Sequence, residues 1–332
     1  MMKRFLTASA AAILLFATPA AQAQELQGRS LLGEPLYVTK QLGFSPETEK
    51  NMLRAAAEAK AAYEQSPTVD NATWYQRLLM YQNRILDSVA VLDAALKQHP
   101  DSGKLLRHRA QRYLTLRQFD KSIENGLAGV KAYGNQPLER ERPGPSYFPG
   151  DPDMVQMYLF YHLGQAYFGK HDFDNARKWF ARAREVAAFS RDNETESSTV
   201  YWLFLCAARA GRTAEARAIL DGYNQNLFEL YPKGGSDTYF DGIQLFKGNR
   251  PVNSMFSTSD GGQPFATGEG VAASTSYSIA QYYLLMGERE KAKPWLARAI
   301  LVKSWGYFAR IQAEADWTYI FPGEDPGKVA KP

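Results

Sequence analysis

Apolar and small residues recur at helical spacing from Phe160 to Ala183. Phe160, Leu163, Gly164 and Tyr167 form one stripe, and Ala176, Phe180 and Ala183 form a second. The polar stretch Lys170-His171-Asp172 separates the two stripes. Two antiparallel helices joined by a tight turn approach to about 8–10 Å only where small residues face each other. Gly164 and Ala176 are placed to supply that crossing, with the larger apolar residues filling the space around it.

The same alternation runs along most of the chain. Residues 103–130 repeat it with Ala110 at the crossing, Tyr113 and Phe119 in the core and Gly129 as a later small residue. Residues 198–223 repeat it with Leu203, Phe204, Gly211, Ala216 and Leu220, and residues 276–301 with Ile279, Ala280, Tyr283, Gly287, Ala292 and Leu296. Residues 74–100 form a degenerate copy. Trp74 and Tyr81 keep first-helix spacing, Leu92, Ala95 and Leu96 keep second-helix spacing, and the two frames disagree by two residues, which predicts a shortened turn. Ahead of these, Ser45-Pro46-Glu47 opens a helix well, with Ser as N-cap, Pro in the first turn and an acid at the positive end. Trp305 to Trp317 predicts a helix that caps the last hairpin.

Two stretches break the pattern. Residues 131–153 carry Pro137, Pro143, Pro145, Pro149 and Pro152 and predict a long inserted loop, as do residues 221–274, with a short helix at Tyr239–Phe246. Residues 24–70 read as an extended, partly mobile lead followed by the first helix, and residues 321–332 as a frayed tail. The expected fold is therefore all-α: a right-handed solenoid of about five helical hairpins over residues 71–320, with two loop insertions and a capping helix.

The positions of the 160–183 hairpin resemble the tetratricopeptide (TPR) signature, with Phe where that signature has Trp. Three further stretches resemble a family of exported bacterial TPR proteins without a defined role. They are Leu105-Leu106-Arg107-His108-Arg109 with Arg112-Tyr113, Tyr201-Trp202-Leu203 with Arg209-Ala210-Gly211-Arg212, and Trp305-Gly306-Tyr307-Phe308 with Ala313-Glu314-Ala315-Asp316. The match departs at Ala110, where glycine is expected. The resemblance implies that the fifth and ninth positions of each first helix line a concave groove. At the fifth position stand Tyr75, Arg107, Tyr161, Tyr201 and Tyr277; at the ninth, Leu79, Gln111, Gln165, Leu205 and Gln281. Tyrosine offers a rigid contact face with a polar tip, and amides pair with peptide backbone or sugar hydroxyls.

The N-terminus adds a location. Lys3 and Arg4 precede the apolar run Phe5–Ala17, and Ala21-Gln22-Ala23 ends it in a small-x-small pattern. Residues 1–23 read as a signal peptide cleaved before Gln24, which predicts export to the periplasm or beyond. Cleavage leaves 332 − 23 = 309 residues and 37 basic against 35 acidic groups, a net charge of +2. That balance gives no footprint for nucleic acid. The single cysteine, Cys206, lies in an apolar run and reads as a buried structural thiol.

Candidate chemistry is sparse. His99, His108, His162 and His171 form no metal-ligand pair on a helix face, and no nucleotide or hydrolase motif occurs. The basic run Arg107, His108, Arg109, Arg112 and Arg117 wraps around its helix instead of forming one patch, so part faces the groove and part pairs with neighbouring acids. The leading expectation is a non-catalytic periplasmic scaffold that binds a protein segment or partner surface in its concave groove, with no cofactor and no metal. The alternatives are an accessory binding glycan or peptidoglycan through the Tyr/Gln face, and an enzyme whose site lies on the 221–274 insert.

Overall fold

The structure is a computed structural model that describes residues 25–39, 45–148, 154–190, 193–223, 238–256 and 268–329. The segment read as a signal peptide lies outside the described residues, as does its cleavage point.

The fold is all-α apart from one small hairpin. Helices α1 (Pro46–Gln65), α2 (Val69–Tyr81), α3 (Ile85–Gln98), α4 (Gly103–Thr115) and α5 (Phe119–Tyr133) follow one another, then α6 (Val155–Gly169), α7 (Phe173–Ser190), α8 (Asn193–Arg209) and α9 (Thr213–Asp221). After α10 (Thr238–Phe246) come α11 (Glu269–Leu285), α12 (Arg289–Ile300) and α13 (Phe308–Ile320). Successive helices pack on one another from α1 to α9 and from α10 to α13, and α6 also packs on α4, so the hairpins stack in a solenoid. Ser45 caps α1 as the sequence indicates, its Oγ accepting from the Thr48 N–H at 3.1 Å.

Five hairpins share one turn. The pairs α2–α3, α4–α5, α6–α7, α8–α9 and α11–α12 are each joined by three residues. The middle residue is left-handed in every case: Asn83, Arg117, His171, Gly211 and Gly287, with φ of 57°, 61°, 60°, 73° and 76°. The third turn residue donates its N–H back across five residues in all of them, as Asp172 does to the Tyr167 carbonyl at 3.0 Å. This is the six-to-one bond of a Schellman ending, which satisfies a carbonyl that the finished helix leaves unpaired. Gly164 is needed at the crossing, since a Cβ there would stand 2.8 Å from the Phe180 ring.

Several boundaries differ from the expectation. The turn of the first hairpin is not shortened; it has the same three residues as the others, and the mismatch is taken up by a two-residue shift of α2. The described part of the lead, residues 25–39, is paired and packed. Leu26–Arg29 (β1) and Pro35–Tyr37 (β2) pair antiparallel, and the Gln27 side chain accepts from the Leu86 N–H at 2.9 Å. The Trp305 indole donates to the Tyr37 carbonyl at 2.9 Å, tying this hairpin to the far end of the chain. The tail is packed as far as Val329: Phe321 is buried, and the Trp317 indole donates to the Glu324 carbonyl at 2.9 Å.

The first insert, 134–148 in its described part, forms an ordered strap. Its Glu139 N–H donates to Gln156 at 2.9 Å and its backbone bridges to Met154. The second insert contributes α10 at the expected place, wedged between α8 and α11. Helix α11 starts at Glu269, earlier than the expected insert boundary of 274.

Candidate functional site

The constant turn fixes which positions are equivalent. Gly164 stands seven residues before His171 (171 − 164 = 7), and the same count back from the other four turns gives Gln76, Ala110, Phe204 and Ala280. Three residues earlier lie the fifth positions, Thr73, Arg107, Tyr161, Tyr201 and Tyr277; one residue later lie the ninth, Arg77, Gln111, Gln165, Leu205 and Gln281. Tyr75 and Leu79 are therefore two residues out of register. The correction has a plain cause: Trp74 and Tyr81 imitate the signature spacing, while the turn itself is set by Asn83. Tyr75 is half-buried and pairs with Tyr63 of α1, ring centroids 6.0 Å apart.

The remaining candidates are equivalent positions of successive hairpins, and they are closed off from solvent. Arg107, Tyr161, Gln165, Tyr201, Tyr277 and Gln281 are all buried, and only Gln111 keeps partial exposure. The cover is α13. The expected capping helix instead packs against α6 and α11 as well as α12. Its nine consecutive residues Ala309–Trp317 are buried, so it is enclosed on all sides rather than closing an end.

Polar side chains of α13 meet three of these positions, Gln165, Tyr277 and Gln281. Gln312 donates to both the carbonyl and the side-chain oxygen of Gln165 at 2.9 Å. Asp316 accepts from the Tyr277 hydroxyl at 2.9 Å, from Gln281 at 2.7 Å and from Arg209 at 2.9 Å. His171 Nε2 lies 3.1 Å from the same carboxylate. Burial acts to raise the Asp316 pKa, but Arg209, His171 and Tyr277 overcome it and hold the group down at about 2. Glu314 accepts from Arg117 at 2.7 and 2.9 Å and from Arg310 at 2.9 Å. It too lies below the ordinary carboxylate range: burial opposes ionisation and the two guanidiniums overcome it.

The tyrosines serve the core in the same way. The Tyr161 hydroxyl accepts from the Trp202 indole at 2.8 Å, and its ring packs on Phe180 and Phe308. The Tyr201 hydroxyl pairs with Ser278 at 3.0 Å. Burial pushes the Tyr161 and Tyr277 hydroxyls well above the usual phenol range, so both stay protonated. Gln312 is not among the residues the sequence marks, and Glu314 and Asp316 enter only within the Ala313-Glu314-Ala315-Asp316 stretch, not as site residues. The available signal was their interleaving with Ala313, Ala315 and Trp317, which leaves α13 no solvent stripe.

The strap lies against α4 and α2. Glu141 accepts from His108 Nε2 at 2.8 Å, while His108 Nδ1 accepts from Arg107 at 2.7 Å. Burial first, then Arg107 and Arg112, keep this imidazole neutral, which fits that donor and acceptor assignment. Lys104 bridges Asp70, at 2.9 Å, and Glu139. Gly144 lies flat on Trp74, where a Cβ would come within 2.3 Å of the indole. The basic run is divided as its wrapping implies: Arg109 pairs with Asp93 at 2.8 Å, Arg117 with Glu314, and Arg107 turns inward. Cys206 is buried and its thiol is pushed well up by that burial.

Among the described residues no group of three or more His, Cys, Asp or Glu is arranged to hold a metal ion. No described helix is long and apolar enough to cross a membrane. No family model and no curated protein matches the sequence. Among solved structures, the chain is similar to YrrB, described as a TPR protein with an unusual peptide-binding site. The identity is 16%, over 74% of this chain and 93% of that one, with a TM-score of 0.41. It is also similar to a tetratricopeptide repeat protein from Parabacteroides merdae, at 14% identity over 82% of this chain and 100% of that one, with a TM-score of 0.44.

Proposed function

We propose that this protein is a non-catalytic scaffold of the cell envelope that engages protein partners with the outer surface of its helical array. The observation that carries the reading is the burial of α13 against Gln165, Tyr277 and Gln281, positions that the resemblance assigns to a partner segment. A rigid array presents its outer side chains already ordered, which lowers the entropy cost of association. The test separates fold from binding. Tyr161→Ala and Tyr201→Ala are expected to lower stability by about 3 kcal/mol, as for large aromatic truncations in cores. Partner captured from envelope extract, per folded molecule, should not change. Loss of the partner at an unchanged melting temperature would return the binding site to the concave tyrosines.

Export belongs to the same proposal, and the charged and apolar run at Lys3–Ala17 supports it. Mass spectrometry of the protein from the periplasm is expected to show an N-terminus at Gln24. An uncleaved chain in the cytoplasm would overturn this part.

A further inference from the structure

The stacking of hairpins is interrupted once. Helices α3, α5 and α7 each pack on the first helix of the following hairpin. Helix α9 packs on α8, but α10 and not α9 stands between α8 and α11. It is also short, nine residues where α5 has fifteen and α7 eighteen. The interruption leaves a cleft of about 460 Å³ between α8, α9 and the C-terminal ends of α10 and α11, within the range of small-molecule pockets. Phe204 and Ala208 of α8, Leu220 of α9, Phe246 of α10 and Leu285 of α11 give it an apolar floor. The Phe204 and Phe246 rings lie 4.6 Å apart, centroid to centroid.

Three charged side chains complete the lining, Arg217, Asp221 and Lys247. Arg217 and Asp221 lie one helical turn apart and pair with each other at 3.8 Å. The Lys247 ammonium has no ion pair and no hydrogen bond among the described residues. An apolar floor beside one uncompensated cation suits a ligand with an apolar chain and an anionic head. The chain removes apolar surface from water, and the head accepts charge-assisted hydrogen bonds from Lys247. A cationic head meets like charge there, and an uncharged head leaves the ammonium without a counter-ion. We propose that this cleft binds a free long-chain fatty acid, its acyl chain over Phe204 and Phe246 and its carboxylate at Lys247. The ligand is a small amphiphile, so the proposal goes beyond the protein-binding reading above and either can fail without the other.

Calorimetric titration of the full chain with dodecanoate and decanoate, below their micelle concentrations, tests the proposal. Dodecyltrimethylammonium is the cationic control and dodecylmaltoside the uncharged one. Saturable binding of dodecanoate at about 100 μM or tighter is expected. Decanoate, two methylenes shorter, should bind about tenfold more weakly, since each buried methylene changes affinity by about fourfold. Lys247→Gln removes the charge from a side chain without a partner. It is expected to weaken dodecanoate about tenfold at an unchanged melting temperature, and to leave the uncharged control as it was. Ala208→Phe places a ring at a half-buried position of the lining and should weaken dodecanoate by more than about tenfold. In the wild-type protein, nuclear Overhauser contacts between the acyl chain and the Phe246 ring, assigned from Phe246→Leu, read the site without relying on any variant's stability. The proposal is overturned if dodecanoate does not saturate, if the cationic or uncharged control binds as tightly, if Lys247→Gln binds dodecanoate as well as wild type, or if the bound chain makes no contact with Phe246.

Discussion

Truncation after Ile300 is expected to abolish the cooperative unfolding transition. The missing segment contains Trp317, Ile311, Ala313 and Phe321, all fully buried. Each large apolar side chain contributes about 1.5–3 kcal/mol by burial. Removing Asp316 and Glu314 also leaves Arg209 and Arg117 in low-dielectric surroundings without these carboxylates. The sum is on the order of 10 kcal/mol, comparable to the whole stability of an ordinary domain. Circular dichroism during thermal or urea unfolding measures it. A truncated chain that still melts in one sharp transition would show α13 to be a removable plug. The concave face, with Tyr161, Tyr201 and Tyr277 in line, would then be a groove that opens.

What the sequence discloses and what it conceals differ by range. The α6–α7 hairpin is legible because its determinants lie close in sequence: Gly164 against Phe180, sixteen positions on (180 − 164 = 16), with a polar stretch at the turn between them. The α1 cap and the short α10 are legible for the same local reason. The register of α2 is not, because the residue that sets it is Asn83, an asparagine in a left-handed turn where Gly211 and Gly287 announce themselves in the later hairpins. Long-range docking is hidden more deeply. Arg117 and Glu314 are 197 positions apart, and Gln165 and Gln312 are 147 apart. Nothing in the local spacing of either partner names the other. Gln165, Tyr277 and Gln281 are recognisable as equivalent positions, but what lies on them is another segment of the same chain. A solenoid read repeat by repeat predicts which side chains line up, and leaves open what lies on them.

Asp316→Ala is expected to destabilise the protein by about 3–5 kcal/mol, the range for breaking a buried ion pair from one side. Arg209 would keep its charge while losing the carboxylate at 2.9 Å, and Tyr277 and Gln281 would lose their shared acceptor. Acid should expose the same interaction in the wild-type protein. The folded-state pKa of Asp316 is about 2, below the ordinary aspartate value of 3.8. The unfolded chain therefore binds this proton first, and the stabilisation is fully present above about pH 4. It is lost as the pH falls through 2. A shift of that size is worth roughly 2–3 kcal/mol. Urea unfolding of wild type and Asp316→Asn at a series of pH values reads it, since the variant lacks the titrating group. The wild type is expected to lose about 2–3 kcal/mol more than the variant between pH 5 and pH 2. Glu314 titrates in both proteins and cancels from the difference. Parallel stability curves would mean that the Asp316 carboxylate does not hold α13 against α8 and α11, and the account of the filled groove would fall with it.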